Sequence, residues 1–154
     1  MKIGELSIEE LKALIEEAVE EKLSRFGVSM EASLLAHFDD YCRRRSYTNR
    51  SEAIRDLIRK ALIAEEWKAN RETVAALTLV YDHHVPGLTE KLTRFQHDFP
   101  GQVIAALHVH LGHHACLETI VARGKAQQIK TLADRLIAMR GVKHGALTGT
   151  TAKI

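Results

Sequence analysis

Apolar residues recur along this chain with two different periods, and the change from one to the other marks its organisation. Over residues 7–24 they fall at Ile8, Leu11, Leu14, Ile15, Ala18, Val19 and Leu23, the three- and four-residue spacing of a helix with one apolar face. Ser7 followed by Glu10 supplies a capping box at its start. The period then shortens to two. Phe26, Val28 and Met30 point one way and Arg25, Gly27 and Ser29 the other, which predicts a short half-buried strand over residues 25–30. Helical spacing returns over residues 31–45, with Leu34, Leu35, Phe38, Tyr41 and Cys42 inward, and over residues 50–67, with Ala53, Ile54, Leu57, Ile58, Ala61 and Leu62 inward. Between them Ser46-Tyr47-Thr48-Asn49 is a turn, and Asn49 with Glu52 is a second capping signature.

A lone strand followed by two helices leaves a row of backbone N–H and C=O groups without partners, so the strand must pair with another copy. A strand-helix-helix unit that dimerises through an antiparallel ribbon is the ribbon-helix-helix arrangement, whose ribbon enters the DNA major groove. The segment Glu65 to Glu72 is polar and lacks Pro and Gly, which predicts a linker into which the helix frays, with Trp67 as a packing anchor between domains. Beyond it the pattern predicts a strand over 73–81, a turn at Pro86-Gly87, a helix over 88–99 broken by Pro100-Gly101, strands over 102–111 and 115–121, a helix over 125–140 and a last strand over 142–150. That order, βαββαβ, is the ferredoxin-like split motif. The fold class is therefore α+β, in three parts: an acidic amphipathic helical extension (1–24), a ribbon-helix-helix domain (25–68) and a ferredoxin-like domain (73–151).

Charge sharpens the division. The net charge of +2 is nearly neutral, yet residues 1–24 hold three Lys against seven Glu, whereas residues 43–60 hold seven Lys or Arg against two acids. The acidic helix is unsuited to nucleic acid and suits packing on a partner helix or on the chain itself; the basic stretch suits phosphate. No apolar run approaches a membrane span, and the N-terminus is acidic where a signal peptide would be basic, so a cytoplasmic protein without a membrane partner is expected. The two cysteines, Cys42 and Cys116, fall in different predicted domains, which argues against a structural disulfide. Cys42, among apolar helical neighbours, is expected in a core.

Candidate chemistry concentrates in the second half, where eight of the nine histidines follow residue 82. His108 and His110 lie two apart in an apolar strand, so their imidazoles leave one face. Gly112 signals a turn, and a returning strand from Ala115 brings Cys116 opposite His110. Three donors leave a closed site incomplete. His97, eleven residues before His108, is the natural fourth, from the same or a neighbouring subunit. Mixed imidazole and thiolate ligands suit Ni(II), Cu(II) or Zn(II) without choosing among them.

At the basic end, the Asn49-Arg50-Ser51-Glu52 helix start offers free amides and a dipole end to a phosphate. On the ribbon, Arg25 can reach guanine bidentately, Ser29 can read either kind of base and Gly27 allows close approach.

The runs that carry both halves are Arg25 to Met30, Asn49-Arg50-Ser51-Glu52-Ala53-Ile54-Arg55-Asp56-Leu57, Gln96-His97, Leu107-His108-Val109-His110, Cys116-Leu117-Glu118 and Gly141-Val142-Lys143-His144-Gly145. In these the chain resembles the NikR family, nickel-responsive transcription regulators that join a ribbon-helix-helix domain to an ACT-like (ferredoxin-like) metal-binding domain. The resemblance implies a homotetramer binding one Ni(II) per subunit in a square-planar site, with His108, His110 and Cys116 from one subunit and His97 from the facing one. It implies that Tyr81, His83, Gln96, His113 and Glu118 surround the metal, His83 as part of alternative sites. It also implies a weaker second cation at Glu52 and Asp56, between the DNA-binding and metal domains. The function implied is repression of nickel-uptake genes by nickel-promoted binding to double-stranded operator DNA. The extension before Arg25 departs from the family pattern.

Two rivals belong to other classes. One is a ribbon-helix-helix regulator or antitoxin whose ACT-like domain senses another metal or a small organic effector, which needs no inward histidine cluster. The other is a metal-dependent hydrolase, which needs an open metal position and a nearby base. Glu118 is the only carboxylate beside the cluster, and the chain is not expected to be an enzyme.

Overall fold

The computed structural model describes residues 26–151. The predicted helix over 7–24 and Arg25 lie outside them. The chain divides between Ser46 and Tyr47 into two compact units.

The first unit contains Phe26 to Glu31, without regular structure, and α1 (Ala32–Arg44). Over residues 26–30, the described part of the strand expected over 25–30, no strand is formed. A strand exists only through its ladder, and the described residues offer this segment no partner; Phe26 and Val28 are accordingly exposed. Of the α1 stripe, Cys42 is buried and the Phe38 and Tyr41 rings stack 6.4 Å apart, while Leu34, expected inward, stays exposed.

The second unit begins with α2 (Arg50–Lys68), started by Asn49, whose Oδ1 accepts from the Glu52 amide at 2.9 Å. Ala53 is buried, whereas Leu57, Ile58, Ala61 and Leu62, all expected inward, are exposed. The apolar stripe is present in the sequence, but the described residues do not cover it. The helix stops sharply instead of fraying. Asn70 takes a left-handed conformation (φ 52), and the Arg71 and Asn70 amides bond back to the carbonyls of Glu66 and Trp67, a Schellman closure. Neither Gly nor Pro marks this end; Asn is the other residue that tolerates the left-handed region. The same Asn70 caps a second helix: its Oδ1 accepts from the Gln127 amide at 2.9 Å.

The sheet follows as β1 (Glu72–Tyr81), α3 (Leu88–His97), β2 (Gln102–Gly112), β3 (Ala115–Lys125), α4 (Ala126–Ile137) and β4 (Val142–Thr150). The four strands are antiparallel neighbours in the order β2-β3-β1-β4, the ferredoxin-like topology. Alternation in β1 and β3 sends Ala75, Leu77, Leu79, Tyr81, Ile120 and Ala122 to one face, where they meet Leu88 and Leu92 of α3 and Ile129, Leu132 and Leu136 of α4 in one core. Each such aliphatic side chain contributes about 1.5–3 kcal/mol by burial. Trp67 packs against this core and over β4 at Gly149, where an added Cβ would lie 2.2 Å from a ring carbon.

The hairpin turn also differs in detail from expectation. Gly112 pairs with Ala115, so His113 and His114 form the turn and Gly112 closes the ladder. Leu111 is skipped in the register, a bulge between His110 and Gly112.

Candidate metal centre

The register assembles the site row by row. His110 on edge strand β2 lies opposite Cys116 on β3, which lies opposite Tyr81 on β1; one row on, His108 faces Glu118, which faces Leu79. Cross-strand partners share a face, so both histidines, the thiol, the phenol and the carboxyl emerge on the helix-covered side. Cys116 and Tyr81 are fully buried, whereas His108 and His110 are exposed because α3 and α4 leave the outer strand uncovered.

Cys116 Sγ lies 3.2 Å from His110 Nδ1 and 3.2 Å from His83 Nδ1. His83 arrives from the loop after β1, which is tied back where the Asp82 amide donates to the Gly141 carbonyl at 3.0 Å. One donor atom from each of the three lies within 4.8 Å of the others. His108 stands beside this trio: its ring is 4.9 Å from that of His110, and its Nδ1 lies 3.1 Å from the Tyr81 hydroxyl. Burial, reinforced by the nearby Glu118 charge, holds the Tyr81 phenol well above its usual range, so it keeps its proton. Glu118, itself buried, accepts from Gln96 Nε2 at 2.8 Å. Burial first, then the neighbouring His84 and His110, lower the pKa of His83 and favour the neutral, ligand-competent ring.

Residues 74–150 match the model of the NikR C-terminal nickel-binding domain. A relative from Desulfovibrio desulfuricans named as a nickel-responsive regulator is 55% identical over 129 residues, covering 84% of this chain and 94% of its own. One from Geobacter sulfurreducens, named likewise, is 56% identical over 128 residues, covering 82% and 92%. The chain belongs to the NikR family of nickel-responsive regulators.

Among solved structures, the ACT domain of a GTP pyrophosphokinase from Chlorobium tepidum aligns with a TM-score of 0.44 at 16% identity, over 50% of this chain and 99% of that one.

The donor set of this NikR-family chain fits a borderline divalent metal. Two donors bound to one ion by bonds of about 2.0–2.3 Å stand about 3 Å apart when cis, close to the observed 3.2 Å separations. A thiolate with imidazoles is the mixture that nickel accepts. Around it, Tyr81 occupies Nδ1 of His108 and so leaves Nε2 as that ring's free donor, which is how an outer hydrogen bond selects the ligating nitrogen.

The other expected residues lie elsewhere. His97 ends α3, exposed in a surface hollow with Thr89, Glu90, Thr93 and Arg94, outside the trio. His113 is exposed in the hairpin turn. Glu52 pairs with Arg55, and Asp56 with Lys60 at 2.7 Å and with the Tyr47 hydroxyl. Gly27 and Ser29 belong to the segment without regular structure; Asn49 caps α2; Arg50 and Ser51 are exposed at its first turn. Sequence reasoning did not find the grouping of Asp82, His84 and His114 beside the trio. Its only linear signals were two His-His pairs, whose meeting depends on the strand register.

Proposed function

We propose that this protein is a nickel-responsive, DNA-binding transcription regulator of the cytoplasm, a repressor of nickel-uptake genes without enzymatic activity. The observation that carries the reading is Cys116 Sγ within 3.2 Å of two imidazole nitrogens, inside the segment that matches a nickel-binding domain. His108, His110 and Cys116 would hold one Ni(II) per subunit with His97 of a facing subunit, with His83 part of an alternative site. Tyr81, Gln96, His113 and Glu118 surround and orient these ligands. When bound, nickel links two subunits.

A homotetramer is supported by what one chain leaves uncovered. Leu107 and Val109 are exposed on the side of β2 opposite the histidines, Leu111 is exposed in the bulge, and His97 is exposed at the end of α3. The exposed Phe26, Val28, Leu57, Ile58 and Leu62 support pairing of the N-terminal parts, residues 25–68, as a ribbon-helix-helix dimer. In that dimer Arg25, Gly27 and Ser29 meet base edges of double-stranded operator DNA, while Asn49, Arg50 and Ser51 position a phosphate. Glu52 and Asp56 offer carboxylates to a weaker second cation, which must compete with Arg55 and Lys60. Nickel affects DNA binding by favouring the tetramer arrangement that grips two half-sites.

DNA selected from a random pool by the nickel-loaded protein tests this. Binding of the selected sequence should require Ni(II) and be lost in His110→Ala and Cys116→Ala. Metal-independent binding of that DNA by both variants would refute it.

A further inference from the structure

Away from the metal centre, a groove between the end of α3 and the flank of α4 has a volume of about 300 Å³ and opens to solvent. Its walls are apolar: Phe95, Phe99, Pro100 and Leu132, of which Phe99 and Leu132 are buried. The Phe99 ring is seated on glycine backbone, since an added Cβ would stand 2.5 Å from a ring carbon at Gly101 and 3.3 Å from one at Gly124. Two opposite charges line the same groove, Asp98 directly after α3 and Arg135 on α4. Neither side chain has an ion-pair or hydrogen-bond partner among the described residues, and they do not pair with each other. The neighbouring Thr131 hydroxyl, by contrast, donates to the Gln127 carbonyl at 2.8 Å, and Gln128 Oε1 accepts from the Lys125 amide at 3.3 Å.

Ligand sites run from about 300 to 1,000 Å³, so this groove suits a molecule at the small end of that range. An anion would meet Asp98 and a cation would meet Arg135. A small molecule that carries both charges beside an apolar group satisfies every feature of the lining. We infer that the groove binds a free α-amino acid with an apolar side chain, its carboxylate on Arg135, its ammonium on Asp98 and its side chain against Phe95, Phe99 and Leu132. A guanidinium takes a carboxylate through paired hydrogen bonds, and the two phenyl rings favour an aromatic side chain. The position gives the site a consequence. Phe95 and Asp98 bracket Gln96, which donates to Glu118 at 2.8 Å, and His97 at the end of α3. An amino acid spanning α3 and α4 holds that end of α3 in place and so strengthens nickel binding. The coupling rests on the proposed role of His97 as a nickel ligand; the site itself does not.

Titration calorimetry of the metal-free, full-length protein with L-phenylalanine tests the inference. One molecule should bind per chain. Phenylpropionate, which lacks the ammonium, phenethylamine, which lacks the carboxylate, and glycine, which lacks the apolar group, should each bind about 10–100-fold more weakly. Asp98→Asn should weaken L-phenylalanine by a similar factor and leave phenylpropionate unaffected; Arg135→Gln should do the same with phenethylamine as the unaffected ligand. Both side chains are exposed, so metal-free melting curves of the variants should match wild type. Absence of saturable L-phenylalanine binding, binding unchanged in both variants, or glycine binding as tightly as L-phenylalanine would overturn the site. With L-phenylalanine saturating, nickel affinity measured against a competing chelator should rise by about fivefold or more; an unchanged affinity would overturn the coupling. Failure of the nickel reading would appear separately, as nickel affinity unaltered in His97→Ala with amino-acid binding intact.

Discussion

Replacing Tyr81 by Phe separates what the buried phenol does for stability from what it does for metal binding. The ring stays, so the core keeps its volume; only a hydroxyl 3.1 Å from His108 Nδ1 is removed. Tyr81 is fully buried, and each hydrogen bond its hydroxyl gives up, to His108 and to Glu118, costs about 0.5–1.5 kcal/mol net. The cost stays in that range because Glu118 retains its 2.8 Å bond from Gln96 and is not left as a bare buried charge. At this chain length 1 kcal/mol corresponds to about 2–4 °C in melting temperature. The effect on nickel should be larger. Without the hydroxyl nothing selects the ligating nitrogen of His108 or holds its ring, and loss of such a partner lowers metal affinity by about 10–100-fold. That is about 1.4–2.8 kcal/mol. Competition titration of Ni(II) against a chelator of known affinity, with calorimetric melting of the metal-free protein, measures both quantities on the same samples. Unchanged nickel affinity beside the expected fall in melting temperature would refute the reasoning and leave the hydroxyl a purely structural role.

Other expectations are equally direct. Gly149→Ala places a methyl group 2.2 Å from a Trp67 ring carbon, so the ring must move or the helix lift, at a cost of about 1–3 kcal/mol; Trp67 is the only tryptophan, and a shift in its emission together with a lower melting point reports the displacement directly. Leu92→Ala empties a fully buried position between α3 and the sheet and should cost about 2–5 kcal/mol in denaturant unfolding. Nickel affinity should fall as pH drops, because imidazoles and thiol must be unprotonated to bind; His83, its pKa already lowered, should be protonated at lower pH than an ordinary histidine, which histidine NMR titration of the metal-free protein would follow. The Lys60 ammonium, then the Tyr47 hydroxyl, hold the Asp56 carboxyl below its usual range. A depressed folded-state value gives stability that is present above the unfolded-state pKa and lost as pH falls through the folded-state one. Asp56→Asn should therefore lower the melting temperature at neutral pH, and the difference from wild type should vanish in acid.

Much of the molecule was readable from residue order because the forces that decide it are local. Alternation over β1 and β3, helical spacing over α3 and α4, and the breakers at Pro86-Gly87 and Pro100-Gly101 act within one element or one turn, and they defined the βαββαβ order. The opposition of His110 and Cys116 followed from hairpin spacing, even though the turn proved to be His113-His114 with Gly112 paired. Where the outcome depended on a partner, residue order was insufficient. The strand expected over residues 25–30 is not formed over 26–30, and Leu34, Leu57, Ile58 and Leu62, expected inward, are exposed, because the described residues supply neither a ladder nor a cover for them. The arrival of His83 at Cys116, the binding of Tyr81 to His108 and the grouping of Asp82, His84 and His114 depend on contacts between segments about thirty residues apart. Such contacts are set by strand register and loop closure, which periodicity within one element does not encode. Linear order therefore determined which elements form and which donors share a face of one hairpin; only the packed sheet decided which side chains from other strands and loops join them.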